Sequence, residues 1–133
     1  MPYRSRRFKL ILLVLGAFVV FLSGGMGYLT HGLGETENLV INPVDFSLIP
    51  DGEYIGEYRG YRWSNTLQVT VRDQRVTDIQ MVKKQRLHLD EPVDQVISRI
   101  IEMQKLPVDV ITGATATSKA IMKSVEIALT GGR

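Results

Sequence analysis

The sequence predicts an α+β fold in which helices cover a small antiparallel sheet, preceded by one N-terminal transmembrane helix. Three observations support this prediction: an uncharged apolar run over residues 10–29, strand-like alternation of apolar and polar residues within 53–84, and helix-like apolar spacing in two later segments. Strand signals followed by helix signals, rather than a regular alternation of the two, are typical of the α+β class.

The apolar run over residues 10–29 contains no charged residue. At ~1.5 Å per residue, a helix of this length spans roughly 30 Å, the thickness of a bilayer's hydrocarbon core. A basic cluster precedes the run, and such clusters remain on the cytoplasmic side; it consists of Arg4, Arg6, Arg7 and Lys9. We therefore expect a cytoplasmic N-terminus at 1–9, a transmembrane helix at 10–29, and a C-terminal domain outside the cell membrane. The alternative is a cleaved secretory signal, because Ser23-Gly24-Gly25 places small residues near the end of the run.

The chain after the apolar run divides into a linker and one domain. Residues 30–50 are polar, contain scattered Gly and Pro, and show no sustained period, so we expect a linker there. The folded domain is expected over 51–133, starting at the turn signal Asp51-Gly52 with a first strand within 53–61. Period-two alternation over 67–71 predicts a second strand, and a turn at Asp73-Gln74 leads to a third strand over 76–84.

Two helices are predicted after the strands. The first begins near Asp90 and Pro92, and its apolar face comprises Val93, Val96, Ile97, Ile100 and Ile101. The second runs from about Thr115 to Leu129 and ends at Gly131-Gly132. Its inward stripe is predicted to be Ala120, Ile121, Ser124, Val125, Ala128 and Leu129.

Composition excludes several classes of function. The 133 residues carry a formal charge of +2, and the basic excess lies ahead of the apolar run rather than in a stripe within the domain, so nucleic acid is not an expected partner. The chain contains no cysteine, which excludes disulfides, thiolate metal sites and cysteine nucleophiles. Any redox chemistry therefore requires a cofactor.

One stretch concentrates small and hydroxyl residues at a predicted transition from loop to helix, namely residues 112–118. The free amide groups at a helix start attract anions, and Gly113 and Ala114 allow a phosphate to approach the backbone. The hydroxyls of Thr112, Thr115 and Thr117 add possible hydrogen-bond donors. The alternative interpretation is an ordinary N-terminal helix cap without a ligand.

The run Asp109-Val110-Ile111-Thr112-Gly113-Ala114-Thr115 resembles the Asp-x-x-Ser/Thr-Gly-Ala-Thr motif of the FMN-binding domain family. That family includes the flavin-carrying subunits of sodium-pumping quinone reductases and Rnf complexes. The opening Asp51-Gly52-x-Tyr54-x-Gly56 and the meander over 69–79 also resemble the family, so the likeness covers about residues 51 to 130. The meander turn differs, since Asp73-Gln74-Arg75 stands where the family often has Asp-Gly-Lys.

The resemblance implies flavin mononucleotide (FMN) as the cofactor, joined by a separate flavin transferase through its phosphate to Thr115. It also implies roles for the rest of the motif: Asp109 as the acidic residue, Thr112 as the hydroxyl residue, and Gly113 and Ala114 as the small pair that lines the phosphate. His88 lies where several family members carry a histidine, and a flavin contact by this residue is a further hypothesis. No catalytic or metal-binding residue is assigned.

Four aromatic residues are candidates to face the flavin ring. Strand alternation predicts Tyr54 and Tyr58 on one face of the strand and Tyr61 and Trp63 on the other.

These expectations combine into one functional hypothesis. The protein is expected to be a membrane-anchored extracytoplasmic flavoprotein of electron transport that relays electrons between redox partner proteins, and therefore a subunit rather than a free-standing enzyme. One alternative is an FMN-dependent reductase of a small acceptor. Another is a flavin-free adaptor subunit of a membrane complex.

Overall fold

The computed structural model describes residues 2–84 and 90–131, and the chain divides into two compact units. The first unit, Met1–His31, consists of helix α1, Pro2–Thr30. Its apolar segment is long enough to cross a bilayer, and none of that segment is buried within the protein. An unburied apolar helix of this length is a candidate membrane span, as the sequence predicts.

The second unit, Gly32–Arg133, contains the remaining elements. Its helices are α2 (Leu33–Glu37), α3 (Asp90–Met103) and α4 (Thr115–Thr130), with short 3₁₀ turns at Phe46–Leu48 and Tyr61–Trp63. Its strands are β1 (Val44–Asp45), β2 (Gly52–Tyr58), β3 (Asn65–Arg72), β4 (Arg75–Lys83) and β5 (Lys105–Leu106). Strands β2, β3 and β4 form an antiparallel sheet in that order, and β1 pairs antiparallel with β5. The predicted α+β class is confirmed.

The alternation in β3 determines which face of the sheet is covered. Leu67, Val69 and Val71 are at most 1% exposed, while the residues between them point away from the core. The turn to β4 places Asp73 and Gln74 at φ +52° and +61°, the conformation of a two-residue type I′ hairpin turn. The predicted meander is therefore formed, including its turn.

Helices α3 and α4 supply the other side of the core. The whole predicted inward stripe of α4 is buried, and α3 buries Val93, Val96 and Ile100 while Ile97 and Ile101 pack partly against the same cluster. Gly131 ends α4 in the left-handed conformation at φ +66°, as predicted for its stop signal. One apolar layer thus joins the sheet to both helices.

The segment after α1 differs from the predicted linker. Ile41, Val44 and Phe46 are buried in the main core. Asn42 donates from its backbone nitrogen to Glu126 Oε2 at 3.1 Å and from Nδ2 to Glu126 Oε1 at 2.8 Å, and Glu126 is only 3% exposed. The segment therefore belongs to the domain. The segment shows no sustained period because its regular elements are short, namely α2, β1 and a 3₁₀ turn. Its partners lie far along the chain, on β5 and α4.

The side chain of Gln104 covers the outer edge of β4. Its Oε1 accepts from Val76 N at 2.9 Å, and its Nε2 donates to Val76 O at 2.7 Å. An amide side chain thereby satisfies backbone groups that a further strand would otherwise pair with. The same residue lies between the end of α3 and β5, which leads to the segment that precedes α4.

Candidate functional site

The start of α4 lacks a side-chain cap. Its cap residue is Ala114, and within the described residues no side chain caps the amides of the first turn. The first helical hydrogen bond of α4 runs from the backbone N–H of Ser118 to Ala114 O, at 2.9 Å. The amides of Thr115, Ala116 and Thr117 come before it and have no acceptor within the helix. The cap position is taken by a residue that has no hydroxyl, so no threonine occupies it.

The backbone in front of this helix start is open to a ligand. Thr112 and Gly113 are exposed, and Gly113 adopts the left-handed conformation at φ +78°. Apart from its two chain neighbours, no described residue has an atom within 4 Å of a Cβ built on Gly113, so the space beside it is open. The first turn of α4 contains no acidic residue that would repel an anion. The loop thus allows the close backbone approach that a phosphate group requires.

Two side chains hold residues 109–114, which we call the acceptor loop. The hydroxyl of Ser118, from α4, accepts from Ile111 N at 3.0 Å and donates to Ala114 O at 2.8 Å. From α3, Arg99 Nη1 donates to the backbone oxygens of Asp109 at 3.0 Å and of Val110 at 3.2 Å. The loop is therefore attached to both helices through its backbone, which leaves the exposed Thr112 and Gly113 between the fixed points.

An open depression of about 440 Å³ lies beside Thr112, between the start of α3 and the acceptor loop. Its described lining residues are Glu91, Pro92, Gln95, Arg99, Ile111 and Thr112. The depression mixes apolar surface with polar groups and opens to solvent. His88, the histidine singled out in the sequence, lies outside the described residues.

The predicted site residues differ in accessibility. Asp109 is exposed, Ala114 and Thr115 are half-buried, and Thr117 is 8% exposed. Thr112 and Gly113 are therefore the most accessible residues of the motif together with Asp109, Thr115 is partly accessible, and Thr117 lies at the edge of the core. The individual roles of these residues towards a ligand stay predictions.

The aromatic residues do not divide between two faces as expected. Tyr58 is the last residue of β2, and Trp63 belongs to the following 3₁₀ turn, so strand alternation does not continue between them. Trp63 is 6% exposed and packs with Ala116 and Ala120 of α4, and Tyr58 packs against the same cluster. Core packing therefore accounts for both side chains. Tyr61 is 51% exposed.

Comparison with models of protein families matches residues 60–130, more than half of the chain, to the FMN-binding domain. The chain belongs to the FMN-binding domain family. The matched range contains β3, β4, both long helices of the domain and the acceptor loop. A comparison with curated proteins gives no match. Family membership identifies this chain as a flavin-binding protein with FMN as its cofactor.

The geometry of the acceptor loop fits the phosphate end of FMN. A phosphate needs backbone amides or other donors, room near the chain, and no competing carboxylate in the same place. The uncapped amides of α4 and the open space at Gly113 meet the first two needs. The first turn of α4 contains no acidic residue, and Glu91 lies across the depression, on α3. The half-buried Thr115 is the first residue of that helix. The role of the Thr115 hydroxyl towards a phosphate stays a prediction of the motif.

Proposed function

We propose that this chain is a membrane-anchored extracytoplasmic flavoprotein that carries FMN as a phosphoester on Thr115 and relays electrons between redox partner proteins. The observation that carries the proposal is the open, uncapped start of α4 within an FMN-binding domain, with a half-buried threonine as the first helical residue. The amides would hold the phosphate charge, and the hydroxyl would supply the covalent link.

Attachment requires an activated flavin donor, because direct condensation of FMN with an alcohol in water must expel water. A flavin dinucleotide satisfies this need, since its FMN phosphorus is part of a phosphoanhydride. In the proposed reaction, the Thr115 Oγ–P bond forms as the anhydride P–O bond breaks. The nucleoside monophosphate leaves with the electron pair, and the hydroxyl proton passes to a base of the flavin transferase. The chain itself contributes the nucleophile and the position of its loop.

The proposed covalent attachment of the cofactor supports a relay role. FMN supplies the uptake and release of electrons when it is bound, while the protein supplies position and surroundings. A covalent link prevents loss of the flavin by dilution outside the cell. The depression beside Thr112 is open to solvent, which suits approach by a partner protein more than enclosure of a small substrate.

The test of this function is production of the full chain with and without a flavin transferase. We expect yellow protein only with the transferase, an intact-mass increase equal to FMN less one water, and the adduct on the peptide that contains Thr115. The loaded protein alone should reduce small acceptors slowly and should exchange electrons in membranes that contain its partners. Colourless protein after co-production would support the flavin-free adaptor, and rapid turnover of an added small acceptor by purified protein would support the reductase.

The proposed orientation places the domain outside the membrane, because the basic residues before the apolar run favour a cytoplasmic N-terminus. The chain has no cysteine, so a maleimide reacts within this protein only with a cysteine introduced at a chosen position, and the reaction reports on which side of the membrane that position lies. We expect an impermeant maleimide to label Glu53→Cys, an exposed position on β2, in intact cells. The control Ser5→Cys should react only after the membrane is opened. Labelling of Ser5→Cys alone in intact cells would reverse the orientation, and release of the protein by an alkaline wash would indicate a cleaved signal.

A further inference from the structure

We propose that Arg99 and Ser118 are positioning residues that set the acceptor loop for transfer of the FMN phosphoryl group to Thr115. This inference rests on the proposed function and assigns roles to two residues outside the run from Asp109 to Thr115. Neither residue is proposed to contact the reacting atoms. Both act through the backbone of the loop.

The contribution of Ser118 is visible in its hydrogen bonds. Its side chain is fully buried, at 0% exposure, and its hydroxyl both accepts from Ile111 N and donates to Ala114 O. Ala114 N in turn donates to Ile111 O at 2.9 Å. Ile111 and Ala114 are thereby fixed to each other and to α4, so Thr112 and Gly113 are presented as a short turn between two fixed residues. The hydroxyl of Ser118 is engaged and buried, so it is not itself a candidate attachment point.

Arg99 fixes the other end of the loop. One guanidinium nitrogen bonds to two successive carbonyl oxygens, those of Asp109 and Val110, and the side chain also borders the depression beside Thr112. Bonds from a cation to carbonyl oxygens are stronger than bonds between neutral groups. The loop is consequently held from α3 at its beginning and from α4 at its end.

Such fixation affects phosphoryl transfer because the attacking oxygen must be aligned with the phosphorus. Misplacement of reacting groups by about 1 Å is enough to slow a reaction on the order of 100-fold. A loop that is attached at both ends keeps the Thr115 hydroxyl and the phosphate-binding backbone in one fixed relative position. A loop released at either end samples arrangements in which the two do not align.

The decisive comparison is between two buried serines of the same helix. Ser118→Ala removes the bonds to the loop, whereas Ser124→Ala removes a bond of the same kind, from Ser124 Oγ to Asn65 Oδ1 at 2.7 Å. Both side chains are 0% exposed. With full chain as acceptor and a flavin transferase with its dinucleotide donor, we expect Ser118→Ala to lower the initial rate of covalent loading about 10- to 100-fold, mainly in the maximal rate. Ser124→Ala should load at the wild-type rate.

A second pair of variants tests Arg99. Arg99→Met removes the donor and should slow loading about tenfold or more, while Arg99→Lys keeps a cation that can reach the carbonyls and should restore part of the rate. The matched control is Lys119→Gln, because Lys119 Nζ also donates to a backbone oxygen, that of Leu39 at 3.1 Å, in a segment outside the acceptor loop. Loading of the control should stay at the wild-type rate.

Hydrogen exchange of the flavin-free protein gives a readout that does not depend on the transferase. In Ser118→Ala the amide of Ile111 loses its acceptor, so its exchange should accelerate, whereas in Ser124→Ala it should not change. Equal loading rates for wild type and Ser118→Ala, or equal losses in Ser118→Ala and Ser124→Ala, would overturn the inference and leave the proposed function standing. A wild-type chain that takes no flavin on Thr115 would overturn both.

Discussion

Thr115→Ala is expected to abolish covalent loading completely, while Thr117→Ala retains it. Thr115 is the half-buried first residue of α4 at the accessible helix start, whereas Thr117 is 8% exposed at the edge of the core. Alanine removes the hydroxyl that forms the ester but leaves the backbone amides in place. Intact mass and peptide mapping of full chains produced with the transferase measure the adduct directly.

The same variant separates the covalent bond from the phosphate pocket. If the amides of the helix start hold the phosphate, Thr115→Ala should still bind added FMN, and dialysis or acid should then remove this flavin. Serine at position 115 keeps a hydroxyl and should accept flavin at a reduced rate. Loss of the adduct in Thr117→Ala, together with full loading of Thr115→Ala, would show that the flavin is attached to Thr117 and would contradict the assignment to Thr115.

Gly56→Val is expected to cause the largest loss of stability. Strand β2 lies directly against α4 at this residue: a Cβ on Gly56 would stand 1.9 Å from Ser124 O, 2.7 Å from Ala128 N and 2.9 Å from Ala128 Cβ. Two of these atoms belong to the helix backbone and cannot rotate away, so strand and helix must separate. We expect a decrease of about 3 kcal/mol or more in the free energy of unfolding.

The measurement is urea unfolding of the flavin-free full chain in detergent, followed by fluorescence of Trp63, which is the only tryptophan and is buried in the domain. The control Gly34→Ala places its new methyl group where no atom lies within 4 Å, on the short helix α2, and should not lower stability. A wild-type unfolding midpoint for Gly56→Val would show that β2 does not pack on α4 as closely as the structure indicates.

Local patterns predict much of this fold. The strands over 67–71 and 76–84 and the buried stripe of α4 follow from apolar spacing, because period-two and helical patterns record which side of an element is covered. The positive φ of Asp73 and of Gly131 follows from residue types that tolerate or favour it, whereas Gln74, at φ +61°, is not such a residue type and takes this conformation because the two-residue hairpin requires it. These signals need no knowledge of distant residues.

The acceptor loop shows where such patterns stop being informative. The hydroxyl-rich sequence predicts a helix start that attracts a phosphate, but it equally fits a helix capped by threonine. Only the backbone conformation decides that Ala114 takes the cap position. The roles of Arg99 and Ser118 have no sequence signal, because each bonds to backbone atoms and any residue type at the loop positions would offer the same carbonyl or amide.

The apolar helix, the α+β order of elements and the motif of an FMN-binding domain are all evident from the amino-acid sequence, because each depends on residues close together in the chain. Three features are visible only in the folded chain: residues 32–50 belong to the domain, Tyr58 and Trp63 pack in one cluster, and the acceptor loop is held between two helices. Those features depend on how separate elements pack, through contacts between residues far apart in sequence or through bonds from side chains to backbone atoms. Neither spacing nor composition records which partner a side chain meets.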